Sequence, residues 1–236
     1  MMGRLRTWAA RSTEMLDDPA TDDHTVVASL RDIARINRAF GGSAAALARL
    51  DEFFAQAPRG SAITLLDVGT GTGDLPRAAA TRAAARGLEL RLVGIEIHRA
   101  AAAQARDGGM AAVVAEGRRL PLRERSVDIV LCAKLLHHLP GEAGRTLLRE
   151  MDRVARIGVV VADIRRSMVA AAGLWLVSFP MGLHPATRHD GVISVFRGFS
   201  AEELRQACAD AGIAASVRRH PGWCLTAAWY PNGRRA

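Results

Sequence analysis

Lysine is all but missing from these 236 residues: of 32 Lys and Arg, only Lys134 is lysine. The net charge of +8 therefore rests on arginine, and the arginines are scattered, with only short pairs such as Arg118-Arg119 and Arg165-Arg166. A nucleic-acid surface gathers its charge into a patch or stripe, so this excess reads as solvated surface and no nucleic-acid partner is expected. The abundance of arginine and alanine has the look of a GC-rich coding sequence. Cysteine is scarce too. Cys132, Cys208 and Cys224 are far apart and odd in number, which argues against a disulfide framework, and the lack of any C-x-x-C removes the usual zinc signature. No metal is expected, and unpaired thiols fit a reducing cytoplasm. Long apolar runs are also wanting. The longest, Met168 to Leu183, is broken by Gly173, Ser178, Pro180 and Gly182 and falls short of the ~20 residues of a membrane span. Met1 to Arg11 carries arginines but leads into no apolar core, so no secretory signal is expected.

What is present suits one sizeable domain. Hydrophobic residues make up 49% of the chain, and a chain of this length buries roughly 70–75% of its unfolded surface without staples. Residues 1–60 read as helical: Val26, Val27, Leu30, Ile33 and Ala34 follow helical spacing to a stop at Gly41-Gly42, and Ser43 can cap a second helix with Leu47, Leu50, Phe53 and Phe54. From Ile63 onward, strand-like runs (62–68, 90–96, 112–115, 127–133, 157–163) alternate with helical stretches (74–86, 98–106, 141–155), the pattern of βαβ units and a parallel sheet. An apolar helix near 167–180 and a His-, Arg- and Gly-rich loop to about 198 follow. A capping box at Ser200 then starts a helix to Gly212, and strands 214–219 and 223–230 form an antiparallel hairpin. The expected fold is α/β and doubly wound, with a Rossmann-like, mostly parallel seven-stranded sheet ending in that hairpin. Residues 1–60 are read as a helical cap or lid and 61–236 as the cofactor-binding domain.

The loop Asp67-Val68-Gly69-Thr70-Gly71-Thr72-Gly73-Asp74-Leu75-Pro76 carries the chemistry. Glycines after a buried strand let backbone take positive φ and let a ligand lie on bare main chain. A dinucleotide fingerprint needs G-x-G-x-x-G, but Asp74 or Pro76 stands where its third glycine belongs. No Gly-Lys-Ser/Thr follows, so a phosphate loop fails as well, and the Asp74 carboxylate would repel a pyrophosphate.

This D-x-G-x-G-x-G form resembles motif I of the class I S-adenosylmethionine-dependent methyltransferases. Leu90 to Glu96 looks like that family's second strand, ending in the acidic residue that accepts ribose hydroxyls, with Ile97 beside it. Ala115-Glu116-Gly117 occupies the place of the family's acidic contact to the adenine amine, with Glu where Asp is usual. Ser126 to Cys132 and Val159 to Asp163 match its fourth and fifth strands, and the resemblance covers about residues 62–230. It implies S-adenosylmethionine as cofactor, held by Asp67, Gly69, Thr70, Gly71, Gly73, Glu96, Ile97, Glu116 and Gly117, with Cys132 at its edge. Leu-His-His-Leu-Pro after strand four and Arg188-x-Asp-Gly…Ser-Val-x-Arg197 look like the small-molecule branch, including quinone-biosynthesis and type III polyketide-synthase-associated O-methyltransferases.

That branch implies methyl transfer to an oxygen of a lipophilic phenolic, quinone or polyketide acceptor. His137 and His138 are candidate general bases, since a histidine near pKa 6.5 can take the proton of a phenol near 10; capping and packing are their alternative roles. His184 and His189 lie in the expected loop and are either substrate contacts or surface histidines, and Arg188, Asp190 and Arg197 could orient a carboxylate or phenolate. Asp17-Asp18-Pro19 is either part of a lid or a helix-entry turn. Helix 168–181, with Trp175 and Phe179, is core, a pocket wall or a peripheral membrane contact. A homodimer, an RNA or protein methyltransferase, and a catalytically silent cofactor-binding subunit remain alternatives.

Overall fold

Apolar runs that cannot face water on either side become the centre of a parallel sheet. The computed structural model of the chain describes residues 2–18 and 20–231. Its strands are β1 (Ala62–Val68), β2 (Glu89–Glu96), β3 (Ala111–Val114), β4 (Val127–Ala133), β5 (Ala155–Ile164), β6 (Ser216–His220) and β7 (Cys224–Trp229). They form one sheet in the order β3-β2-β1-β4-β5-β7-β6. The first five strands pair in parallel, whereas β7 runs antiparallel to both β5 and β6. The expected seven-stranded architecture and its terminal hairpin are therefore present.

The helices are α1 (Met2–Arg11), α2 (Asp23–Ala39), α3 (Gly42–Phe54), α4 (Asp74–Ala85), α5 (Arg99–Asp107), α6 (Glu142–Val154), α7 (Met168–Ser178), α8 (Pro185–Arg197) and α9 (Ala201–Asp210). Successive strand residues point to opposite faces, and the core divides accordingly. Leu65, Ile129, Leu131 and Val160 pack with Leu50, Phe53 and Phe54 of α3 and Ala79 and Ala83 of α4. Leu66, Val68, Val130 and Val161 pack with Leu147, Leu148 and Met151 of α6 and Leu204 and Cys208 of α9. Thus α3 covers the sheet, while α1 and α2 lie against α8. A smaller apolar cluster joins Ala9 of α1, Ala170 and Ala171 of α7, and Ile193 and Phe196 of α8.

Most of the loop expected after α7 is instead the helix α8. His184 caps it, its Nδ1 accepting from the Ala186 amide, and Pro185 stands in its first turn. Thr187 and Asp190 are buried on the same helix as Ala186, Ile193 and Phe196. Polar residues at inward positions break the apolar period that would have announced the helix.

Gly222 fastens the hairpin turn to the corner between α2 and α3. Its φ is +71°, and a Cβ there would stand 1.5 Å from the Phe40 carbonyl oxygen. Neither the backbone strain nor the overlap can relax cheaply. Gly222→Ala is expected to lower unfolding free energy by about 2–4 kcal/mol in denaturant titrations; an unchanged midpoint would show that the turn is not clamped.

Candidate active site

The carboxyl ends of β1, β2, β4 and β5 and the loop after β3 open into a cavity of about 790 Å³. It lies where β1 sits between β2 and β4, the crevice at which open α/β sheets bind ligands. Elements outside the sheet complete it: α2 contributes Leu30 and Asn37, α7 contributes Gly173, Leu174 and Val177, and α8 contributes Asp190 and Ser194.

On one side lies the glycine loop. Gly69, Gly71 and Gly73 have φ of +75°, +54° and +76°, a conformation that side chains resist. The Gly69 and Thr70 amides donate to the Ile95 carbonyl at 2.8 and 3.1 Å, which ties the loop to β2. Glu96 finishes the tie. One carboxylate oxygen accepts from the Gly71 amide at 2.8 Å, and the other from the Ile97 and His98 amides at 2.8 and 2.9 Å. Oε2, with the Gly71 amide alone, keeps a further acceptor site, so Glu96 is a pre-oriented acceptor at the cavity.

Asp67 is different. It is buried, and its Oδ1 has no hydrogen-bond partner. Burial pushes its carboxyl up to about 7, with Asp74 and Glu96 adding to the effect. A cavity edged by a carboxyl with one open oxygen and by a carboxylate poised for hydroxyls suits a ligand carrying both a cation and a ribose. S-adenosylmethionine has an ammonium, a sulfonium and a ribose, so the residues fit it.

The other predicted cofactor residues divide. Ile97 and Gly117 line the cavity. Glu116 lines it too, but its side chain is half exposed and pairs with Arg118. Gly73 turns the chain at the N-terminus of α4 without lining the cavity. Cys132 is a correction: it points into the core between the sheet and α6, and burial pushes its thiol well up. Alternation along β4 carries it away from the ligand side.

Opposite the glycine loop, Lys134 leaves β4 at φ +57°, and a 3-10 turn, Leu136–His138, places two imidazoles at the cavity. His137 Nδ1 lies 2.7 Å from Asp163 Oδ1, and its amide donates to Asp163 Oδ2 at 3.2 Å. Burial alone would raise the Asp163 carboxyl, but His137, Lys134 and the Ile164 amide together hold it below the usual carboxylate range. An ionised Asp163 only accepts, so Nδ1 carries the proton and Nε2 presents a lone pair. That Nε2 is buried and without a partner.

His138 stacks beside it, ring centroids 4.1 Å apart, with its Nδ1 2.6 Å from Asp17 Oδ1. Asp17 and Glu14 come from a strap between α1 and α2. Its middle, Leu16, donates its amide to Asp190 at 3.3 Å and accepts from His98 Nε2 at 3.1 Å. Arg197 holds the strap down, donating to Glu14 at 3.0 Å and Asp17 at 2.8 Å. Burial alone would raise Asp17's carboxyl, but hydrogen bonds from His138 and Arg197 keep it well below its usual value. Burial raises Glu14 against the pull of His138, Ser194 and Arg197. Glu14, His137 and His138 offer donor atoms within 4.8 Å of one another. A guanidinium and the Ser194 hydroxyl already hold the Glu14 oxygens, so the arrangement reads as a proton-holding network.

Four sequence expectations are corrected by placement. His184 is the cap of α8 and does not line the cavity, and His189 is exposed, bonded to Asp190 at 2.9 Å. Arg197 serves the strap, and Arg188 lies over the Phe179 ring at 4.9 Å, so neither is free to orient an acceptor at the cavity. Asp17 belongs to the strap over the cavity, while Pro19 lies outside the described residues. Asp163, Glu14 and Lys134 were not singled out as site residues. Asp163 carries a readable signal, an acid ending a buried strand as Asp67 does. Glu14 carries none.

Residues 66–163 match the family profile of a methyltransferase domain. An uncharacterized methyltransferase of Mycobacterium avium (strain 104) is 34% identical over 189 residues, covering 71% of this chain and 68% of that protein. Among solved structures, a SAM-dependent methyltransferase from Aquifex aeolicus superposes with a TM-score of 0.54 at 18% identity, covering 84% of this chain and 97% of that one. Magnesium protoporphyrin IX methyltransferase from Synechocystis PCC 6803, with bound SAM, gives 0.53 at 11% identity, covering 81% and 80%. At such identities the structural likeness is one of fold.

Asp67 provides a test of the site's electrostatics. Its carboxyl ionises at its ordinary 3.8 when exposed and near 7 in the folded chain. Between those values the native state holds the extra proton, so stability falls as pH rises through that window and is level above it. Asp67→Asn removes the dependence. Its stability relative to the parent is expected to climb between pH 4 and 7, by up to about 4 kcal/mol, and then flatten. A difference that does not vary with pH would overturn the buried proton.

Proposed function

The chain belongs to the class I S-adenosylmethionine-dependent methyltransferases, and from that premise we propose that it methylates an oxygen of a small lipophilic acceptor of phenolic, quinone or polyketide type. One observation carries the reading: His137, its Nδ1 held by Asp163 and its Nε2 buried without a partner, lines a cavity walled largely by apolar side chains. A polar amine acceptor would not favour walls such as Leu30, Ile33, Leu174 and Val177.

The glycine loop, Asp67, Glu96, Ile97 and Gly117 hold the cofactor on this reading, with Glu116 at the rim. When bound, S-adenosylmethionine supplies an electrophilic methyl on a sulfonium. The protein's own work is then to place, dry and deprotonate the acceptor. A phenolic hydroxyl near pKa 10 is protonated at neutral pH. His137 Nε2 takes that proton as the oxygen becomes nucleophilic, and Asp163 stabilises the imidazolium, the usual division of labour in an Asp–His pair. Lys134, which also lines the cavity, offsets negative charge on the acceptor oxygen. The strap excludes water by lying over both histidines, and His138, bridged to Asp17 and Glu14, keeps it seated. Alignment of two bound reactants can supply up to ~7–11 kcal/mol of a barrier, so binding geometry carries more of the rate than the base.

His137→Gln is expected to lower kcat by roughly 10²–10⁴ on a phenolic acceptor, while S-adenosylhomocysteine affinity by calorimetry stays within about twofold. Asp163→Asn should reproduce most of that loss with the same unchanged affinity, because the amide no longer enforces the tautomer. Gly71→Arg should abolish S-adenosylhomocysteine binding. An acceptor panel answering only to polar amines or RNA would overturn the oxygen assignment and leave the cofactor site standing.

A further inference from the structure

Helix α7, Met168-Val-Ala-Ala-Ala-Gly-Leu-Trp-Leu-Val-Ser178, has no charged residue. Two apolar stripes run along it at helical spacing. Ala170, Gly173, Leu174 and Val177 line the active-site cavity. Val169, Ala172, Trp175, Leu176, Phe179 and Pro180 are exposed, with Val169 67%, Trp175 52%, Leu176 62% and Phe179 53% accessible. An apolar helix is normally covered on all sides; this one is covered on only one.

The chemistry around the exposed stripe points to its occupant. From Ile164 to His189 the chain carries no Asp or Glu; of its three arginines, Arg166 is 12% accessible and paired with Glu203 and Arg165 has a buried Nε, while Arg188 stands at the stripe itself. Arg188 lies over the Phe179 ring at 4.9 Å, and Trp175 meets the same ring edge-on at 5.1 Å. Aromatic side chains seat at the polar–apolar boundary of a bilayer, and arginines are drawn to anionic headgroups. A second copy of this chain docked on the stripe through a two-fold axis would bring the two Arg188 guanidiniums towards one another, a like-charge arrangement that interfaces avoid. At 11 residues α7 cannot cross a bilayer, and no helix among the described residues is long and apolar enough to do so. It can lie in the interface.

We propose that the outer stripe of α7 docks on an anionic lipid bilayer. The helix then separates the active-site cavity from the acyl region, its inner face towards the acceptor and its outer face in the lipid. Docking does not depend on which atom is methylated, and it is read without turnover.

The test is flotation of the full chain with vesicles of phosphatidylcholine alone and of equimolar phosphatidylcholine and phosphatidylglycerol, at low and high salt. The chain is expected to float with the anionic vesicles and to partition roughly ten-fold less well without phosphatidylglycerol or at high salt. The triple variant Trp175→Ser, Leu176→Ser, Phe179→Ser should lose roughly ten-fold or more of that partitioning while keeping the parent's melting temperature and S-adenosylhomocysteine affinity. Should the triple variant not fold, Arg188→Glu alone is expected to weaken partitioning several-fold. Brominated acyl chains should also quench parent fluorescence more than that of Trp175→Phe. Failure of the parent to float, equal partitioning of parent and variants, or a parent dimer that the triple variant turns into monomers would each overturn the proposal.

Discussion

Buried carboxylates at the ends of sheet strands organise this molecule. Asp67, Glu96 and Asp163 sit at or near the ends of β1, β2 and β5 and are 2%, 6% and 0% accessible. A carboxylate removed from water demands compensation, and each of the three finds a different kind. Glu96 takes backbone amides from its own strand end and from the glycine loop, which holds that loop in place. Asp163 takes an imidazole and two amides, which fixes a tautomer. Asp67 has one oxygen with no partner, and burial raises its carboxyl to about 7. The cavity therefore has a fixed loop, an imidazole of set orientation and a buried carboxyl with an open oxygen.

The helices between β5 and α9 add a second wall to this cofactor crevice. Buried Asp190 and part-buried Arg197 on α8 reach back to the strap that follows α1, and the strap in turn contacts His98 beside the glycine loop's carboxylate Glu96 and His138 beyond β4. One short segment thus touches both halves of the reaction. Closure over the histidines and closure over the cofactor loop are therefore parts of one polar network, and loss of either anchor would admit water to both.

The same insertion accounts for the two-sided character of α7. A helix recruited as the wall of an apolar cavity must be apolar inside. Nothing in that role requires an apolar outer stripe of Val169, Trp175, Leu176 and Phe179. The outer face is a separate feature laid on the same helix, and it sets an exposed apolar surface beside the cavity.

Local pattern alone announced the sheet. Buried parallel strands read as apolar runs, helices between them as periodic stretches, and a glycine-rich turn after the first strand has few physical uses. The order of those signals was enough for the fold, the family and the cofactor, because each is written in residues close together in the chain. Helix α8 was hidden because its inward positions carry Thr187 and Asp190, whose value lies in contacts to α2 and the strap. Four histidines looked alike in sequence. Only the tertiary structure sorted them: His137 and His138 meet carboxylates 26 and 121 residues away, while His184 caps its own helix and His189 bonds its neighbour. The sequence by itself determined which segments must be buried and which turn can cradle a nucleoside, since burial and turn geometry are local properties of the chain. Tertiary structure decided which base is desolvated, which acid orients it and what covers it, since a side chain's chemistry is set by neighbours that the chain brings from afar.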